Sequence, residues 1–249
     1  MRYFLKLAYN GTNYHGWQIQ PNALSVQEVL DKSLSMLCGE AVFSLGCGRT
    51  DAGVHAREFY AHFDTQKKLE HKLITNLNGI LPKDIEAIEF TEVHDDAHAR
   101  FDATSRSYEY HLHFNKDPFK QNLSYYFNFQ HKPDVQLMNE GAKIIMEYTD
   151  FACFSKANTD VYTTLCTITE ARWEATDEQS IVFHITANRF LRNMVRAIVG
   201  TLIDYGIGRI QEDDLRTIIL QKNRSLAGTS VPANGLYLTK IIYPYINKP

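Results

Sequence analysis

Hydrophobic spacing in this chain switches between two periods in a fixed order, and that order constrains the fold more than any other feature. Tyr3, Leu5, Leu7 and Tyr9 alternate, as in a strand with one buried face. Ser25 followed three positions later by Glu28 reads as a capping box, and Val26, Val29, Leu30, Leu34 and Leu37 then fall at helical spacing. Residues 41–47 read as a strand, and Phe59, Ala61 and Phe63 alternate in the next one. Residues 69–81 read as a helix with Leu73, Ile74, Leu77 and Ile80 on one face, stopped by Pro82, and 85–93 as a strand. The order is βαββαβ.

The remainder repeats it. Tyr108, Tyr110, Leu112 and Phe114 alternate, and a helix over 134–148 turns Val135, Met138, Ala142 and Ile145 inward. Two strands, 165–175 and 181–187, flank the polar tip 176–180. Helices over 189–205 and 212–220 and a closing strand over 236–243 complete the pattern. The expected fold class is α+β, with two tandem ferredoxin-like (RRM-like) βαββαβ repeats, 1–102 and 103–249. They would form a largely antiparallel sheet with helices on one side and a central RNA-binding cleft. Topology alone does not establish function.

The chemistry concentrates in Gly48-Arg49-Thr50-Asp51-Ala52-Gly53-Val54-His55-Ala56, which places a carboxylate beside an arginine in a glycine-flanked loop between two strands. Taken alone, Asp51 reads as a turn former bonding its own backbone, and Arg49 as a surface charge. Partners elsewhere change the balance. On the helix expected over 189–205, Arg189, Arg192 and Arg196 recur at intervals of three and four and share one stripe. Arg196 falls mid-helix in the most apolar stretch of the chain, where a partly buried guanidinium needs a carboxylate, and Asp51 is the candidate. Such a pair would keep Asp51 ionised and fixed, as a nucleophilic carboxylate requires. Arg106 and Tyr108, two apart on one strand, point to one face. Tyr108 reads either as a core tyrosine or as a surface on which an extruded base stacks.

With 249 residues, a net charge of −3 and no run of about 20 apolar residues, the chain reads as globular and soluble. Its longest apolar stretch, 194–203, contains Arg196, and the N-terminus shows no secretory pattern. Four cysteines without a CxxC pair argue against a zinc site and a disulfide framework, and suit a reducing cytosol. His111 and His113 face one way on a strand but lack a third ligand nearby, so they read as solvated strand histidines rather than metal ligands. The slightly acidic balance counts modestly against a nucleic-acid partner, although a local arginine cluster can outweigh the total.

These residues, in this order, resemble the tRNA pseudouridine synthase A (TruA) family, which modifies the anticodon arm. Tyr9-Asn10-Gly11-Thr12 with Tyr14, Gly16, Trp17 and Gln18 is similar to its opening signature, and GRTDAGVHA to its catalytic loop. His98-Ala99-Arg100-Phe101 with Arg106, Tyr108 and Tyr110 resembles its middle signature. ANRFLRNMVRAIVGTL from Ala187 resembles its helix, and Gly235-Leu236-Tyr237-Leu238 its closing strand. The signatures span nearly the whole chain.

The resemblance implies a uridine-to-pseudouridine isomerase acting at tRNA positions 38, 39 and 40, cytoplasmic and homodimeric, without cofactor or metal. It implies that Asp51 is the essential aspartate, Arg196 its ion-pair partner and Tyr108 the residue under the target base. Arg49 would guide RNA or extrude the nucleotide, and Arg106, Arg189, Arg192 and Leu236 would complete the substrate-binding set, with Arg100 adding to the basic stripe. Two departures stand out. The net charge is acidic for a tRNA partner, and Gly228-Thr229-Ser230-Val231-Pro232 differs from the family's usual Thr-Ala-Pro. Neither is expected to touch the catalytic set. The alternative is a catalytically silent RNA-binding protein of the same fold, although an aspartate retained in a polyanion-binding groove is a poor choice for binding alone. A carboxylate-based hydrolase would need a second acid, and the Asp51 segment offers none.

Overall fold

Strand β1 (Arg2–Tyr9) carries buried side chains on both faces, which suits a strand paired on both edges. It runs antiparallel to β3 (His55–Asp64) on one side and to β4 (Ile85–Val93) on the other. Phe4 breaks the expected alternation because its ring meets those of Tyr243 and Tyr245, with centroids 5.2 and 6.1 Å away. β2 (Leu45–Gly46) adds antiparallel to β3, and β9 (Leu236–Ile242) runs parallel to its first residues, with His55 opposite Tyr237. The structure is a computed structural model describing residues 1–129, 131–156 and 162–246. The fold is α+β with mostly antiparallel pairing, and the contacts divide the chain into two units. One is Met1–Thr104 with the chain from Tyr237 on, and the other is Ser105–Leu236.

In the first unit, helix α1 (Val26–Cys38) starts as expected, with the Ser25 hydroxyl accepting from the Glu28 N–H at 3.2 Å. Val26, Leu30, Leu34 and Leu37 are buried. The strand expected over 41–47 shrinks to two residues. The Val42 N–H donates to Ser35 Oγ at 2.9 Å and the Ser44 N–H to Asp31 Oδ1 at 3.0 Å, so two donors of the segment bond to side chains of α1. Helix α2 (Leu73–Ile80) begins four residues later than its apolar spacing suggests. Leu69 is buried ahead of it, its N–H donating to Tyr3 Oη at 3.2 Å.

In the second unit, β5 (Ser105–His113) pairs antiparallel with β8 (Ser180–Ala187), which pairs antiparallel with β7 (Ile168–Asp177). β6 (Tyr125–Tyr126) lies parallel to the end of β5. Helix α3 (Val135–Met146) is capped by Asp134 and buries Met138, Ala142 and Ile145 as expected. Helices α4 (Met194–Gly206) and α5 (Glu212–Gln221) follow. The largest correction concerns α4, which begins at Met194 rather than 189. Asn193 ahead of it has φ 68°, a left-handed conformation that asparagine tolerates and a continuing helix does not. Arg189 and Arg192 therefore precede the helix, and Arg196 sits in its first turn instead of mid-helix.

His113 also departs from expectation. Only 3% exposed, it bonds Ser124 Oγ through Nδ1 at 2.9 Å and stacks on Tyr126. No helix among the described residues is long and apolar enough to cross a membrane.

Candidate active site

The loop bearing Asp51 is held by the last residue of β1 and by the segment that follows it. The Trp17 N–H donates to the Thr50 carbonyl at 3.3 Å, Tyr9 Oη and Thr50 Oγ1 are 2.9 Å apart, and the Gly53 N–H donates to the Tyr14 carbonyl at 3.3 Å. The Val54 N–H returns to the Asp51 carbonyl at 3.2 Å, closing a tight turn through the loop. Gly16 explains its own residue type. Its φ is +86°, and a Cβ there would stand 2.2 Å from the Thr50 carbonyl oxygen, so backbone meets backbone one residue from the carboxylate. Of the two glycines flanking the loop, Gly53 adopts φ +79°, whereas Gly48 has open space around it and no positive φ. The turn needs only the second of them.

His55 closes the loop, and residue type alone does not mark it out. It is buried, its Nδ1 accepts the Gly11 N–H at 3.0 Å, and its ring stacks on Tyr237 with centroids 4.6 Å apart. The Arg57 guanidinium lies 5.2 Å from the centre of the Tyr237 ring. A donor at Nδ1 fixes the lone pair on that nitrogen, so this imidazole is an oriented strut between the opening and closing signatures. Leu236 is buried at the start of β9. Asp51 is half-buried and Arg49 exposed.

In the second unit, Arg106, Tyr108 and Tyr110 follow one another on one face of β5. Arg106 Nη1 donates to the Asn188 carbonyl at 3.0 Å. The half-buried ring of Tyr108 meets Phe190 edge-on, 5.1 Å away at 86°. Tyr110 is fully buried and donates to the Pro232 carbonyl at 2.8 Å. Burial pushes its phenol well above the ordinary value, and the nearby Arg196 charge pulls the other way. The arginine stripe is not one helix face. Arg189 and Arg192 lie in the 188–193 connection, where the Arg189 N–H bonds Asn188 Oδ1 at 2.9 Å and the Arg192 carbonyl accepts the Lys156 N–H at 3.1 Å.

Arg196 is instead tied to the segment 228–232. Its Nε donates to the Val231 carbonyl at 2.8 Å, and the Val231 N–H donates back to the Arg196 carbonyl at 3.2 Å. The neighbours of Val231 are anchored in turn. The Gly228 N–H bonds Thr201 Oγ1 at 2.9 Å, and Thr229 lies so close to α4 that a Cβ at Gly200 would fall 1.9 Å from its carbonyl oxygen. Ser230 Oγ accepts Asn193 Nδ2 at 2.6 Å and Arg224 Nη2 at 2.7 Å. This strap was expected to leave the catalytic set untouched, yet it bonds directly to Arg196. The sequence signal that could have flagged it is Gly200 in the middle of an apolar helix, a mark of close backbone approach.

The family model described as tRNA pseudouridine synthase matches residues 148–244, which include Arg196 and the strap. The chain is 50% identical to the tRNA pseudouridine synthase A of Bacteroides fragilis, over 98% of its own length and 96% of that protein's. It is 49% identical to the protein of that name from Porphyromonas gingivalis, covering 98% and 97% of the two chains. For the one from Clostridium acetobutylicum the identity is 39%, covering 96% and 98%. With such identity sustained over nearly the full length, the chain belongs to the tRNA pseudouridine synthase A family.

Proposed function

We propose that this protein isomerises uridine to pseudouridine at positions 38, 39 and 40 in the anticodon stem-loop of tRNAs. Asp51 acts on the extruded nucleotide, Arg196 is its ion-pair partner, and Tyr108 lies under the base. The observation that carries this reading is the bracing of the Asp51 loop, whose Thr50 is bonded by both Tyr9 and Trp17, with Gly16 at backbone contact. A carboxylate mounted on such a loop suits chemistry more than a solvated turn. The membership of a family named for the reaction supports it.

The chemistry asks little of the protein beyond one oriented acid. The C1'–N1 bond breaks, the uracil rotates, C5 bonds to C1', the C5 proton leaves for solvent and N1 gains one. The aspartate either bonds covalently to a carbon of the substrate or removes the C2' proton to give a glycal. Neither route needs a cofactor or metal.

Arg49, Arg106, Arg189 and Arg192 contact RNA in this reading, and Leu236 helps line the substrate site. With a net charge of −3, affinity rests on these local cations rather than on the total. The element order supports two tandem ferredoxin-like repeats. A homodimer working in the cytoplasm completes the proposal.

The test is release of tritium from tRNA labelled at uracil C5 and carrying uridine at positions 38 to 40. Release that disappears when those three uridines are replaced by cytidine supports the reading. Tight tRNA binding with no release from any anticodon arm identifies the silent RNA-binding alternative.

A further inference from the structure

We propose that Ser230 is a positioning residue for Arg196, acting through the backbone of Val231. This rests on the role given to Arg196 above.

A guanidinium is planar, and its Nε–H lies in that plane. One bond from Nε, with the stem fixed by the helix, therefore sets the direction in which the Nη edge faces. For Arg196 that bond goes to the Val231 carbonyl, and the reciprocal bond from the Val231 N–H prevents the peptide from rotating away. The orientation of the cation is thus only as firm as the position of residue 231.

Two contacts flank that residue. On its far side, the Pro232 carbonyl accepts the Tyr110 hydroxyl at 2.8 Å. On its near side, the anchor is the Ser230 hydroxyl, which accepts one hydrogen from Asn193 Nδ2 and one from Arg224 Nη2. Two acceptances fill both lone pairs of a hydroxyl. Asn193 is the left-handed residue at which α4 begins, so the same contact joins the strap to the start of the helix carrying Arg196. Arg224 also donates to the Ala227 and Gly228 carbonyls at 3.3 and 3.2 Å, clasping the strap to its own approach. Ser230 is where these ties converge.

Removal of the hydroxyl takes one acceptor from Asn193 Nδ2 and from Arg224 Nη2 and releases residue 231 on one side, while Arg224 keeps the Ala227 and Gly228 carbonyls and water reaches the half-buried site. The ends of the strap remain held, by Thr201 and by Tyr110. The expected result is a misaimed Arg196 in a folded protein.

The test compares Ser230→Ala and Ser230→Thr with wild type in tritium release from tRNA, together with melting temperature. Misplacement of a reacting group by about 1 Å costs on the order of 100-fold, so kcat of Ser230→Ala is expected to fall about 10- to 100-fold. KM for tRNA and the melting temperature should stay near wild type, and Ser230→Thr, which keeps the hydroxyl, should recover most of kcat. A wild-type kcat in Ser230→Ala overturns the proposal, as does a joint loss of kcat, tRNA affinity and melting temperature. Hydrogen exchange at Arg196 Nε–H, followed by 15N NMR, reads the same point without activity. Protection in wild type that is lost in Ser230→Ala is the expected outcome, and equal protection overturns it. If wild type releases no tritium, the proposed reaction fails, while the exchange measurement still decides the role of Ser230.

Discussion

Arg196 and Val231 hold each other in both directions: the guanidinium Nε donates to the Val231 carbonyl at 2.8 Å, and the Val231 N–H donates to the Arg196 carbonyl at 3.2 Å. The guanidinium proposed as the counter-ion of Asp51 is therefore aimed by backbone atoms of the strap. A lysine at 196 has neither Nε–H nor a planar fork, so it cannot be aimed in this way. Arg196→Lys and Arg196→Met are both expected to lower kcat by roughly 100-fold or more, with tRNA affinity changed only a few-fold. Single-turnover rates and filter binding separate the two quantities. A loss confined to affinity would make Arg196 a phosphate contact.

Gly16 offers a stability and activity test of the braced loop. Gly16→Ala puts a methyl 2.2 Å from the Thr50 carbonyl oxygen at a φ of +86°, next to Asp51. Gly39, the C-cap of α1, shares the left-handed conformation at +76° but has open space around it. Gly39→Ala should cost about 1–2 kcal/mol, the price of that conformation alone. Gly16→Ala should cost more in chemical denaturation and also lower kcat, because the displaced atoms adjoin the carboxylate. Equal costs with unchanged kcat would show that the loop yields freely.

Tyr108 meets Phe190 edge-on with ring centroids 5.1 Å apart, and its proposed task is to offer an aromatic face to the base. Tyr108→Phe keeps that face and is expected to retain most base binding, whereas Tyr108→Ala should weaken it by about 1–3 kcal/mol. Identical behaviour of the two variants in tRNA binding and turnover would remove stacking from the account.

Stability against pH carries two opposed contributions. Burial, with the charges of His98 and Arg2, pushes His62 down to about 4, so the unfolded chain takes up this proton first. The stabilisation due to neutral His62 is complete above the unfolded value of about 6.5 and is lost as pH falls towards 4. Asp31 behaves oppositely. Burial raises its carboxyl to about 6 against the bonds from Ser44, so the folded state holds that proton longer and stability is lost as pH rises through 6. Asp31→Asn keeps an acceptor for Ser44 and is expected to raise stability at pH 8 by on the order of 1–3 kcal/mol, with no gain near pH 3. Melting curves across about pH 3–8 for Asp31→Asn and His62→Asn check both signs.

Long periodic elements were legible in the sequence because burial of one face dictates them, as in α1, α3 and β8. What escaped depends on backbone detail that residue type does not encode. Apolar residues run from Phe190 through Leu202 at helical spacing, yet one left-handed residue, Asn193, starts α4 at Met194 and takes Arg189 and Arg192 off its face. The strand at 41–47 was lost to side chains of α1 that offered its N–H groups other acceptors. Asp51, Tyr108 and Arg196 stood out as charge or aromaticity in unusual settings. The strap at 228–232 did not, because it acts through carbonyls and one small hydroxyl.

The most direct measurement is single-turnover tritium release by Asp51→Asn. Asparagine forms turns as readily as aspartate and preserves the shape of the loop, but it lacks the charge and basicity of the carboxylate. If Asp51 attacks the sugar or takes its proton, release falls by about 100- to 10,000-fold while tRNA affinity is kept. Release at the wild-type rate would show that Asp51 serves only the turn, and would contradict the account.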